Sequence, residues 1–166
     1  MDVVQRVHEQ AVGDDFIRWY NLQNHSSFSF NRRGDQAPDL IYHDGRAELF
    51  VEVADAYYDD LDAKFKWETA RGSPNPPIRW EGVDFDNKLI DHINARLEDK
   101  CQKSYGRSCF LVLNLSPYVT AAEEIEAMLP NILVPERNPF EAIYLTGYFP
   151  EGIMIGQSTY HCWQIV

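Results

Sequence analysis

The stretch Ala37–Asp60, APDLIYHDGRAELFVEVADAYYDD, reads as a strand, a tight turn and a second strand. Two apolar runs, Leu40–Tyr42 and Ala47–Val53, flank the segment His43-Asp44-Gly45-Arg46. An Asp-Gly pair between such runs signals a two-residue type I′ hairpin turn, whose central residues both need positive φ. With Asp44 and Gly45 as those central residues, His43 faces Arg46, Ile41 faces Glu48 and Asp39 faces Phe50. Side chains alternate along a strand, so Asp39, Phe50 and Glu52 share one face while Leu49, Val51 and Val53 form an apolar row on the other. Asp39 and Glu52 then become diagonal cross-strand neighbours, roughly 7–8 Å apart at Cα. A three-residue loop would send Asp39 to the opposite face, because a one-residue slip inverts every side chain.

Two carboxylates at that separation can share one divalent ion. A hard cation such as Mg²⁺ takes oxygen ligands and keeps several waters. The carbonyl of Val53 is a natural third ligand. The other reading of the same residues is a half-exposed hairpin with its acids on the wet face.

Upstream, residues 2–12 read as a helix with Val3, Val4, Val7 and Ala11 on one face. Gly13-Asp14-Asp15 reads as a break and a restart, and SFSFN (residues 27–31) as a first strand. Downstream, residues 59–71 read as a short helix, and GSPNPPIRWEG (residues 72–82) as a loop, a candidate flap over a site. Residues 84–104 give the clearest helix: Phe85, Leu89, Ile93, Leu97 and Cys101 recur every fourth position, Ile90 widens the stripe and Gly106 marks the exit. CFLVLNL reads as a buried strand. TAAEEIEAML reads as a helix capped by Thr120 and Glu123. AIYLTGYF, GIMIGQ and YHCWQIV read as closing strands. The order predicts an α/β fold, a mixed β-sheet of about five strands sandwiched by helices.

The length, 166 residues, suits a single domain spanning 1–166. Apolar residues make up 45% and aromatics 13%, an ordinary globular composition. There is no pattern of a secretory leader, no apolar run of membrane-spanning length, and three cysteines without a CxxC pair. A cytoplasmic protein with no membrane contact is expected. The net charge of -11 counts against simple duplex binding, since phosphate neutralisation favours basic surfaces; it leaves room for a local basic groove or a metal site. The five histidines show no metal-ligand spacing, and there is neither a phosphate-binding glycine loop nor a GxSxG elbow. Tyr57, Tyr58 and Trp67 are candidates for stacking on bases or for packing under the proline-rich loop.

Pro38-Asp39 and Glu52-Val53-Ala54, with their surrounding apolar runs, resemble the core motif of the PD-(D/E)xK nuclease superfamily, the restriction-endonuclease-like fold. In that family Pro-Asp opens one hairpin strand and (D/E)-x-K lies on the next. The helix after the hairpin and KSYGRSCFLVLNL resemble the family's next helix and core strand, so the likeness runs over roughly residues 3–115. VEVADAYYDDLDAKFKWE looks like bacterial or phage members of the family. The resemblance implies that Asp39 and Glu52 bind Mg²⁺ or Mn²⁺, which activates water against a phosphodiester. It implies nucleic acid as partner, with a protein partner or a homodimer as further possibilities.

The motif lysine, which would orient the water or stabilise developing charge, is Ala54 here. Three lysines are candidates to replace it. Lys100 falls between Leu89 and Ile93 on the helical wheel, inside the apolar arc, where a lysine needs either a partner or a snorkelling route to water. Lys64 and Lys66 follow the strand directly, and the helical pattern there does not choose between them. Relatives also carry an acid on the first helix; Glu9 matches by order but projects opposite Val3, Val4, Val7 and Ala11. Asp55 and Asp59 read as solvated acids or helix caps. The expected function is that of a metal-dependent, nuclease-like hydrolase of phosphodiester bonds. The alternative is the same fold with decayed chemistry, a binding module or acidic decoy in a phage or defence complex.

Overall fold

The computed structural model describes residues 2–57, 70–72, 85–115, 121–150 and 157–166. Six strands form one sheet in the order β1-β2-β3-β4-β5-β6: β1 Ser29–Arg33, β2 Leu40–His43, β3 Glu48–Ala56, β4 Phe110–Leu115, β5 Ala142–Pro150 and β6 Ser158–Gln164. Pairing is antiparallel for β1/β2, β2/β3 and β5/β6, and parallel for β3/β4 and β4/β5. The sheet is therefore mixed, and the fold is α/β. The parallel steps need crossovers. Helix α2, Phe85–Cys101, lies between β3 and β4, and helix α3, Ala122–Met128, between β4 and β5.

Each face of the sheet carries its own core. Leu89, Ile93, Leu97 and Cys101 of α2 pack with Leu111, Leu113, Ile143 and Leu145, all buried. From Leu89 to Cys101 the stripe read from the sequence is thus the buried face of α2. Helix α1, Val3–Asn24, covers the opposite face, placing Val12, Phe16 and Ile17 against Leu40, Tyr42, Val51, Val53, Phe110 and Tyr144. Phe16 meets Tyr144 at 4.8 Å between ring centroids and Phe110 edge-on at 6.3 Å. Offset and edge-to-face aromatic contacts of this kind add to area burial.

Helix α1 differs from the sequence reading in two ways. It runs through Gly13 without a break. A Cβ at position 13 would lie 2.3 Å from Leu40 Cδ1 and 2.4 Å from Tyr42 Oη, so glycine here lets the helix approach β2. The apolar row at its start is also outward: Val3 is 75% exposed and Val7 64%, while Glu9 is 6% exposed. The polar side of the first turns is the one that meets the sheet.

The hairpin differs in register. Leu40 pairs with Val51, Ile41 with Phe50, Tyr42 with Leu49 and His43 with Glu48, so the loop is residues 44–47, not Asp44-Gly45 alone. The Asp44 carboxylate explains the longer loop. Its Oδ1 accepts from the backbone N–H of Arg46 and of Ala47, both at 2.9 Å, while Gly45 takes φ 88°. Such Asx hydrogen bonds compete with the two-residue turn. The loop grows by two residues, an even number, so the faces assigned to the strands are retained.

Three smaller differences follow. Among the described residues the sheet has six strands, one more than the five or so expected. Helix α2 ends at Cys101, and Gly106, at φ 66°, sits in the turn beyond it. The cap of α3 is Ala121, whose N–H donates to Glu124 Oε2 at 3.0 Å. Thr120, all but the last two residues of the helix read over 59–71, most of the proline-rich loop, Tyr58, Asp59, Trp67, Lys64, Lys66 and nearly all of GIMIGQ lie outside the described residues.

Candidate functional site

Beyond Val51, β3 outruns its pairing with β2 and continues beside β4 to Ala56. Asp39, the residue before β2, takes over there: continuing the register by one step sets it opposite Glu52. Its Oδ2 accepts the Val53 N–H at 3.0 Å, replacing the ladder bond that β2 no longer supplies. In an extended strand a residue's N–H and C=O point to the same side, so the Val53 carbonyl faces the same edge. Asp39 and Glu52 are therefore directly opposed rather than diagonal, on one face of two adjacent antiparallel strands.

Glu52 is 3% exposed. Its Oε1 accepts from Lys100 Nζ at 2.6 Å, and its Oε2 is buried with no hydrogen-bond partner. Burial holds this carboxyl above the ordinary carboxylate range, and the negative charge of Asp39 adds to that; the Lys100 ammonium opposes both. Lys100 comes from the last turn of α2, one turn past Leu97 and beside Cys101, where the helix lies on the sheet. Its backbone carbonyl accepts from Tyr105 Oη at 3.2 Å, tying the helix end to the following turn. Of the two side chains, Lys100 retains 13% exposure and Glu52 5%.

Asp39, Val53 and Lys100 border a cleft of about 380 Å³, lined also by Glu9, Ala54 and Arg96 among others; Glu52 is buried behind that lining and meets it through Lys100. Glu9 enters from α1. It forms an ion pair with Arg33 of β1 and accepts from Gln5 Nε2 at 3.0 Å. Burial raises its carboxyl above the usual range, with Asp39 adding and Arg33 opposing. The Ala54 methyl lines the cleft where the motif lysine would stand. So Asp39, Glu52, Val53, Lys100 and Glu9 converge on one place; Lys64 and Lys66 are outside the described residues.

Sequence reasoning missed three participants. Asp55 is neither solvated nor a helix cap: it lies in β3, and its carboxylate accepts from His8 Nε2 at 2.8 Å and from Asn114 Nδ2 at 2.8 Å. Arg96 donates through Nε to the Asp55 carbonyl at 3.0 Å. Arg33 joins through Glu9. No local pattern marks any of them, because each meets its partner across tens of residues of chain.

The donor set suits a hard divalent cation. Asp39 and the Val53 carbonyl offer oxygens at the β3 edge, and the orphaned Glu52 Oε2 is a buried acceptor that a cation would satisfy. Among the described residues no three or more His, Cys, Asp or Glu side chains are grouped so as to hold a metal ion, so such an ion would rest on two carboxylates, a carbonyl and water. Among the described residues no helix is long and apolar enough to cross a membrane.

No family model matches the chain, and no curated protein matches it. Among solved structures it is similar to that of Pyrococcus furiosus SfsA in complex with Ca²⁺, at 16% identity and a TM-score of 0.34, over 95% of this chain. The chain spans 61% of the length of that protein.

Proposed function

We propose that this chain is a metal-dependent, nuclease-like protein that hydrolyses phosphodiester bonds, with Lys100 taking the place that Ala54 vacates. Asp39, Glu52 and the Val53 carbonyl would hold Mg²⁺ or Mn²⁺. The observation that carries this reading is the Lys100 ammonium 2.6 Å from a buried carboxylate whose second oxygen has no partner. A buried lysine–carboxylate pair is costly to desolvate, and it is a weak device for stability alone. Beside a cleft, it supports a chemical role.

When bound, the ion would supply Lewis-acid stabilisation of phosphorane charge and lower the pKa of a water. The chain's own residues do the rest. Asp39, held by the Val53 N–H, keeps its remaining oxygen lone pairs for the cleft. Glu52 presents Oε2 while Oε1 anchors Lys100. Lys100 brings a positive charge and donors to the site from a rigid helix rather than from the strand, where a water or a phosphate oxygen can accept. Glu9, fixed by Arg33 and Gln5, closes the α1 side. Lys64 and Lys66 remain the other candidates for the same role.

A second reading is favoured by Ala54 and by the closed Glu52–Lys100 pair: a catalytically degenerate module of the same fold that binds a partner protein, or an acidic decoy. Incubation of the protein with single- and double-stranded DNA and RNA, with Mg²⁺ or Mn²⁺, separates the two. The nuclease reading expects metal-dependent cleavage, reduced at least a hundredfold by Glu52→Ala and by Lys100→Met. Absence of cleavage of all four substrates would overturn it in favour of the degenerate module. Cleavage that survives both substitutions would remove this site from the chemistry.

A further inference from the structure

The net charge of -11 makes the surface hostile to a polyanion, yet the charge balance inverts around the site. Two further clefts continue from the first in series. One of about 450 Å³ shares Asp39 with it and is lined by Arg6 and Arg33; the next, of about 410 Å³, shares Arg33 and the segment 34–37 and adds Arg32 and Arg107. Their acidic lining is Asp35 and, at the inner end, Asp39. Four arginines thus meet two acids in the outer clefts, while the whole chain carries 15 basic and 26 acidic residues. The inner cleft is balanced, with Arg71, Arg96 and Lys100 beside Glu9, Asp39 and Asp55, so the basic excess lies in the outer clefts.

Several of these arginines are fixed in place. Arg33 pairs with Glu9 and donates to the Arg6 carbonyl at 3.0 Å; Arg32 pairs with Glu48 at 2.7 Å. Arg107 lies over the Phe50 ring at 4.5 Å, a cation–π contact that holds the guanidinium while leaving its edge N–H groups available. Arg6 is exposed on α1. An arginine fork matches phosphate oxygens in pairs, so a row of them reads a phosphodiester backbone rather than base edges.

We infer that the three clefts form a track for one strand of nucleic acid, running from Arg107 and Arg32 past Arg33 and Arg6 to Asp39 and the Glu52–Lys100 pair. This rests on the phosphodiesterase reading of the site and adds to it the path of the substrate. The occupant is a single strand: the arginines lie in a chain of clefts rather than across a broad face, and the surrounding acidic surface repels the second strand of a duplex.

The test is fluorescence anisotropy of a labelled single-stranded oligonucleotide in EDTA, titrated at several salt concentrations, with a duplex of equal length alongside. The parent should bind the single strand at least tenfold more tightly than the duplex. The pair Arg6→Gln and Arg107→Gln should weaken single-strand binding at least tenfold and reduce the salt slope by about 1.4, since each phosphate contact on a single strand contributes ~0.7. Arg18→Gln should change neither quantity, because Arg18, 72% exposed and paired with Asp15, lines none of the three clefts. Arg6→Gln alone, at an exposed helical position, carries the test with about half the slope change if the pair disturbs the fold. A parent that does not bind, equal affinity for the duplex, or an unchanged slope in the variants would overturn the track. Binding that follows these rules without cleavage in Mg²⁺ or Mn²⁺ would keep the track and discard the hydrolase. Cleavage by the Arg6 and Arg107 variants with unaltered KM would keep the hydrolase and discard the track.

Discussion

Replacing Lys100 by Met keeps the aliphatic stem and removes the charge that faces Glu52. The pair is nearly dry, with side-chain exposures of 13% and 5%, so solvent does little to screen it. Removing one partner of such a pair leaves the other charge uncompensated, at a cost of about 3–5 kcal/mol. Here the lower end applies, about 3 kcal/mol at neutral pH, because Glu52 has an escape: it takes up a proton. Its folded-state pKa is already raised, by burial and by Asp39, and loss of Lys100 removes the chief opposing charge. A carboxyl whose folded pKa lies above its unfolded value binds more protons in the folded state between those two values. Stability therefore falls as pH rises from the ordinary carboxylate range through the raised folded value. The deficit of Lys100→Met relative to the parent should accordingly be full above that folded pKa and shrink as pH falls towards the unfolded value, about 4.3. Adding Glu52→Gln to Lys100→Met removes the stranded charge and should recover about 2 kcal/mol, a coupling within the usual range for contacting residues. Urea denaturation followed by circular dichroism at several pH values measures all of this. A deficit that is flat between pH 5 and pH 8, together with strictly additive single and double variants, would show that loss of Lys100 does not leave Glu52 buried and uncompensated.

Other expectations follow from the same geometry. Gly13→Ala gains about 1 kcal/mol of helix propensity but drives a methyl into Leu40 and Tyr42, an overpacking cost of about 1–3 kcal/mol, and it disturbs the Tyr42 Oη donation to Asp14 at 3.0 Å; a net loss of about 1–2 kcal/mol is expected in urea denaturation, and a gain would show that α1 does not sit on β2 this closely. Mg²⁺ or Mn²⁺ should raise the melting temperature of the parent and leave Asp39→Ala and Glu52→Ala unmoved, since an ion stabilises only the state that binds it; an equal response in parent and variants would place the ion elsewhere. Because protons compete for the raised Glu52 carboxyl, apparent metal affinity by calorimetry should climb with pH through that value and level off above it, and a pH-independent affinity would exclude Glu52 as a ligand.

How far these features were legible depends on the physics behind each. The α2 stripe from Leu89 to Cys101 was readable because burial against a sheet leaves a 3.6-residue record. That stripe also aimed Lys100 at the sheet, which is where the structure brings it to Glu52. The faces of Asp39 and Glu52 were readable although the register was not, since alternation depends only on parity. The register itself turned on Asp44, whose side chain can serve either a two-residue turn or an Asx loop, and the sequence carries no term that weighs them. Helix α1 misled for a different reason. Its valines follow helical spacing, yet its inward side carries Glu9, since ion pairing with Arg33 offsets the burial of that carboxylate. Periodicity reports apolar burial and is blind to a polar face that is buried because it is paired. Asp55 was missed likewise: His8 and Asn114 reach it from α1 and β4, and only the assembled sheet brings them together.

In the proposed site, Asp39, Glu52 and the Val53 carbonyl would hold a divalent ion beside Lys100. Anomalous diffraction from crystals grown with MnCl₂ addresses it most directly. An ion is expected between Asp39 and Glu52 Oε2, at ligand distances of roughly 2.1 Å with the remaining positions filled by water, and Lys100 Nζ still within hydrogen-bond reach of Glu52 or of one of those waters. Mn²⁺ bound only elsewhere, or absent at millimolar concentration with the Glu52–Lys100 pair closed, would contradict it.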